Sequence, residues 1–122
     1  MGIKFYHEDR MSQARASLEA RVLLWPDVEP TFLLDCPAYL VGGHPFAVLV
    51  DRALLLPRLP PEALQAAPSG MKLEPLRAGY AHLEGWLRLP VQAPEHVIRA
   101  LALVRASFET VRAAATAEKD KP

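Results

Sequence analysis

The chain of 122 residues lacks several features that would place it in a common functional class at once. It has a single cysteine and no net charge, since 14 basic side chains balance 14 acidic ones. One cysteine excludes an internal disulfide framework and is typical of a reducing compartment. A balanced charge without a basic arm or an acidic tail argues against a dedicated polyanion or polycation partner. We therefore expect a cytoplasmic protein.

Long apolar runs and targeting signals are also missing. The longest runs, residues 46–50 and 53–57, are far too short to span a bilayer, and the N-terminus has no signal-peptide core. We therefore expect no membrane partner. Asparagine is absent and arginine outnumbers lysine ten to four, which is typical of a GC-rich bacterial genome.

The composition is otherwise that of one globular domain. Hydrophobic residues make up 51% of the chain and charged residues 23%, which is enough apolar material for a single core. We predict a domain over residues 9–116, preceded by an N-terminal extension (1–8) and followed by a disordered tail (117–122).

Hydrophobic periodicity predicts the order of the elements. Apolar residues recur at spacings of three and four from residue 9 to 24 and again from 94 onward, which predicts two long helices. Between them lie the strand-like segments TFLLD, AYLVGG, HPFAVLVD and ALLLPRL, a short helix over 59–70 and two further strands near 71–76 and 85–91. Gly42-Gly43 favours a tight hairpin turn. We predict an α+β fold, α-β(3)-α-β(2)-α, with an antiparallel sheet and N- and C-terminal helices.

Three segments of the sequence resemble segments of a known protein family. The segments GGHPFAVLVDRALLLPRLPPE, GWLRLPVQAPEHVIRALALVRASFETV and WPDVEPTF are similar, in this order, to the YjbR/MmcQ-like proteins. The related TfoX N-terminal-like and luciferase-domain-like small proteins share this layout over about residues 15–115. The resemblance implies a secretion-chaperone-like fold and a DNA-binding label given by structural analogy, and it brings no agreed catalytic residues. Many relatives carry Lys or Arg beside the hairpin glycines, whereas this chain has His44-Pro45.

The sequence offers no clear catalytic or metal-binding constellation. Cys36 and His44 lie eight residues apart on what should be opposite ends of a hairpin strand, so we interpret Cys36 as a buried structural residue. The four histidines stand in four separate segments without the paired spacing of metal ligands. We expect no enzyme activity, no catalytic residue, no metal and no cofactor, and interpret the chain as a binding or assembly module.

Two alternative functions and one assembly state follow from the remaining features. A weak nucleic-acid binder would use an arginine and tryptophan surface on the sheet: Arg52, Arg58, Arg77, Trp86 and Arg88. A small-molecule binder would use a pocket near Tyr80, His82 and Trp86. Neighbouring residues in FAVLV and ALLLP point to opposite faces yet are all apolar, so one face would be exposed unless a helix covers each. This pattern motivates a homodimer hypothesis.

Overall fold

The computed structural model describes residues 6–76 and 85–119 and contains three helices and six strands within them. In chain order they are α1 (Glu8–Val22), β1 (Val28–Leu33), β2 (Cys36–Val41), β3 (His44–Val50), β4 (Ala53–Leu56), α2 (Pro61–Leu64), β5 (Glu74–Pro75), β6 (Leu87–Pro90) and α3 (Pro94–Lys119). None of the helices in these two ranges is long and apolar enough to cross a membrane.

The strands form one antiparallel sheet in the order β1-β2-β3-β4-β6-β5, which confirms the predicted α+β class. The meander has four strands rather than three, because β1 pairs with β2 along its whole length, from Val28 opposite Val41 to Leu33 opposite Cys36. The turn between them is Leu34-Asp35, both at positive φ. Such turns usually contain Gly, Asn or Asp, so Asp35 alone is a local sign of this hairpin.

Two elements are shorter than the sequence suggests, and both ends of the domain extend further. Helix α2 has four residues and β5 has two. Tyr6, in the predicted N-terminal extension, is buried, and α3 continues to Lys119, past the predicted domain end at residue 116.

Both sides of the middle strands are buried within the single chain. Ala47 and Leu49 of β3 point to one side and Val48 and Val50 to the other, and each is at most 3% exposed. All four residues of β4 are also buried. The apolar face on which the homodimer hypothesis rested is therefore not exposed in these strands. The homodimer hypothesis also draws on three apolar residues that fall outside the main apolar stripes of the two long helices. Of these, Leu103 is buried, whereas Ile98 and Leu23 are exposed.

Helices α1 and α3 pack against each other and are tied to the sheet by polar contacts. The Tyr39 hydroxyl of β2 donates to Glu19 of α1 at 2.8 Å, and the Ser107 hydroxyl of α3 donates to the Phe46 carbonyl of β3 at 2.6 Å. Burial, followed by the bond to Glu19, raises the pKa of Tyr39 well above its usual range, so the phenol stays neutral. These contacts fix the position of α3 over the β2–β3 hairpin.

Candidate ligand-binding cleft

The candidate site lies beside the hairpin of β2 and β3. Val41 pairs with His44 across Gly42-Gly43, which confirms the predicted two-residue turn, and both glycines have positive φ. A Cβ added to Gly42 would lie 2.5 Å from Cβ of Ala115, whereas one added to Gly43 would meet no atom within 4 Å. The last turns of α3 therefore rest directly on Gly42.

A cleft of about 320 Å³ opens on one side of this contact. It is lined by residues from the β3 strand, the end of β4, the start of β6 and the C-terminal half of α3: His44, Pro45, Pro57, Arg58, Trp86, Thr110, Val111, Ala114 and Ala115. The lining is mostly apolar, with a few polar groups at its edge. That combination is characteristic of pockets for small organic molecules.

Strand pairing brings Arg58 and Trp86 together although they are 28 residues apart in the chain. Leu56 at the end of β4 pairs with Leu87 at the start of β6, so the residues just beyond this pair are neighbours. Gly85 has φ of 83°, and a Cβ placed on it would lie 3.7 Å from Cδ of Arg58. The stem of Arg58 thus packs beside Gly85, and the next residue, Trp86, lines the same cleft as Arg58.

None of the described residues balances the charge of Arg58 inside this cleft. No described residue of the lining is acidic, and Arg58 makes no ion pair within residues 6–76 and 85–119. A second cleft, of about 460 Å³, lies on the other side of the Gly42 contact and differs in charge. There Asp27 and Glu29 accompany Arg112, which pairs with Asp27 at 3.7 Å.

The other candidate residues do not join Arg58 and Trp86. Arg52 is in the turn at the opposite end of β4, roughly 20 Å from Arg58 at the rise of an extended strand. Arg88 lies within β6, opposite Leu55 and Glu74, and does not line the cleft. The remaining candidates, Arg77, Tyr80 and His82, lie outside the described residues.

Most of the residues that α3 contributes to the cleft were not predicted from the sequence. Thr110, Val111 and Ala114 line the cleft, yet only Val111 stood out in the sequence, as part of a regular apolar stripe. Thr110 and Ala114 are four residues apart and so share one side of the helix, but a threonine and an alanine give no functional signal by themselves. Their role depends on where α3 docks.

Cys36 and His44 are far apart, as expected from the hairpin. Cys36 pairs with Leu33 at one end of β2, whereas His44 pairs with Val41 at the other, which is roughly 16 Å along an extended strand. The Cys36 thiol is 2% exposed, with Sγ 3.5 Å from the Leu34 carbonyl oxygen. Burial, with a smaller contribution from Asp35, raises its pKa from the ordinary value of 9.0 to about 11. Cys36 and His44 therefore cannot act together as a nucleophile and its general base.

The raised pKa predicts a slow reaction of Cys36 with Ellman's reagent in the folded protein. At pH 8 a two-unit increase leaves about one hundredth of the thiolate of an unfolded chain, so labelling should be at least about 100-fold slower than in guanidinium. Because the folded pKa is the higher one, the stability from the neutral thiol is complete below pH 9 and is lost as the pH rises towards 11. Rapid stoichiometric labelling of folded protein at pH 7 would contradict the structural interpretation.

No metal site is found in the part of the chain that the structure describes. No three side chains of His, Cys, Asp or Glu there lie close enough to hold an ion. Comparison with models of known families, with curated proteins and with solved structures finds no match. The likeness to the YjbR/MmcQ-like proteins thus stays a prediction from the sequence.

Proposed function

We propose that this chain is a small non-catalytic binding module of the YjbR-like kind, which takes a small organic molecule in the cleft beside Trp86. The observation that carries the proposal is the cleft itself: Trp86, two prolines and one side of α3 line an open cleft of about 320 Å³ that also contains one arginine. This volume is at the lower end of the range for ligand pockets, so the ligand is small.

The alternative functions have less support from the geometry. A nucleic-acid surface needs several cations along one face, yet Arg52, Arg58 and Arg88 lie at three different positions of the sheet. Assembly through an apolar sheet face lacks its main argument, because the residues of β3 and β4 that would form this face are buried. A cytoplasmic location remains our proposal and is supported by the single, buried cysteine.

The test uses NMR spectra of the two tryptophan indoles, since Trp86 lines the cleft and Trp25 packs on Phe108 with ring centroids 5.2 Å apart. The probes are 2-naphthamide and its isosteric carboxylate, 2-naphthoate. For probes of this size we expect saturable binding with Kd on the order of 1 mM. The Trp86 signal should shift while the Trp25 signal, assigned with a Trp25→Phe variant, stays in place.

Two neighbouring alanines provide a matched pair of variants. Ala114→Phe fills the cleft and should abolish the shift, whereas Ala113→Phe makes the same change at an exposed position of α3 outside the lining and should preserve it. If neither probe moves the Trp86 signal up to its solubility limit, or if both variants bind like the native chain, the proposed function is wrong.

A further inference from the structure

The geometry points to the chemical class of the ligand: we infer that the cleft binds a small organic anion, with a flat apolar body on Trp86 and a carboxylate or similar group on Arg58. This inference rests on the proposed function, because it concerns the same cleft. It adds the sign of the charge, the group that the ligand presents and the residue that recognises it.

The first argument is that Arg58 lines a cleft and has no carboxylate partner among the described residues. Other arginines without such a partner, Arg52 and Arg88 among them, line neither of the two clefts. Four arginines of the described chain pair with carboxylates: Arg10 with Asp51, Arg15 with Glu8 and Glu19, Arg105 with Glu109, and Arg112 with Asp27. Arg58 has no such partner among these residues, although it lines a cleft. An anion entering the cleft therefore need not displace the carboxylate of any described residue.

The second argument is the surroundings of that charge. Pro57, Trp86 and Val111 provide apolar surface beside Arg58, which is itself exposed to solvent. The body of a ligand can pack on this surface while its charged group meets the guanidinium. A guanidinium also offers parallel N–H donors that match the two oxygens of a carboxylate. Attraction and geometry thus both favour a carboxylate over a neutral group of equal shape.

The third argument is the contrast with the second cleft. There the guanidinium of Arg112 is already paired with Asp27, and Glu29 adds another negative charge. An anion would be repelled by these carboxylates, so the two clefts flanking the Gly42 contact differ in the sign of charge they accept. Specific anion binding is therefore expected only on the Trp86 side.

The experiment compares the affinities of 2-naphthoate and 2-naphthamide, which have nearly the same shape and differ in charge. The shift of the Trp86 indole gives Kd for each probe. We expect the carboxylate to bind about tenfold more tightly at low salt, and the difference to shrink as sodium chloride is added. In Arg58→Gln the two probes should bind equally, whereas Arg58→Lys should retain part of the preference.

Arg52→Gln is the matched control, because it removes the same charge at the opposite end of β4. It should leave the preference for the carboxylate unchanged. Equal affinities of the two probes in the native chain would overturn the inference and leave the proposed function standing. Binding of neither probe would overturn both. If Arg58→Gln and Arg52→Gln lose the preference for the carboxylate to the same extent, the preference is a general charge effect and the assignment to Arg58 is overturned.

Discussion

Replacing Gly42 with alanine is expected to destabilise the protein by about 3 kcal/mol, against about 1 kcal/mol for the same replacement at Gly43. Both glycines have positive φ, of 61° and 82°, so each variant incurs the penalty of a side chain in the left-handed region. Only at Gly42 does the new Cβ also meet an obstacle, the Ala115 Cβ at 2.5 Å. The difference between the two variants therefore isolates the contact between the hairpin and α3.

Urea unfolding of the two variants measures this difference, provided that the m-values stay equal. A third variant tests its cause, because Ala115→Gly removes the atom that the new Cβ would meet. Combined with Gly42→Ala, it should bring the penalty close to that of Gly43→Ala, after correction for Ala115→Gly alone. If Gly42→Ala and Gly43→Ala prove equally destabilising, α3 does not rest on the hairpin as described.

The second large effect is expected at Ser107, where replacement by alanine should destabilise the protein by about 2 kcal/mol. Ser107 is completely buried, and its hydroxyl donates to the Phe46 carbonyl. Phe46 falls at a register shift: Ala47 pairs with Tyr39 and Pro45 with Leu40, which leaves Phe46 without a partner on β2. The hydroxyl therefore supplies a donor to a buried carbonyl where the strand pairing is irregular.

Thr110→Ala is the control for this variant. The Thr110 hydroxyl donates to the Ala106 carbonyl within its own helix and is only partly buried, so its loss should change stability by less than about 0.5 kcal/mol. Thermal unfolding followed by circular dichroism gives both values. Equal small effects of the two variants would show that the Ser107 bond does not hold α3 on β3.

Together, the Ser107 and Ala115 contacts position the wall of the proposed ligand cleft. They lie on the buried side of α3, within two turns of Thr110, Val111 and Ala114, which line the cleft. A binding site is most precise when its residues stand on rigid, well-packed elements. Gly42→Ala and Ser107→Ala should consequently also weaken binding of naphthoate, even though neither residue is among those that line the cleft.

The α+β class, the two long helices and the Gly42-Gly43 turn could all be predicted from the sequence. These features follow from local rules: apolar residues every three or four positions, short runs of strand formers, and a glycine pair that accepts positive φ. The sequence also identified Arg58 and Trp86 as candidates, although it joined them to Arg52 and Arg88, because residue type and strand parity carry no information on which ends of two strands meet.

The Leu34-Asp35 turn, the burial of the sheet and the composition of the cleft depend on the tertiary structure. The turn at Leu34-Asp35 is held at positive φ by the pairing of β1 with β2, against the local preference of Leu34, whereas aspartate tolerates this region. Burial of both sides of β3 removed the exposed face that the sequence suggested. The cleft joins His44, Arg58 and Trp86 to residues near 110, more than sixty positions after His44. Such contacts depend on where α3 docks, and docking is set by packing over the whole core rather than by any local pattern.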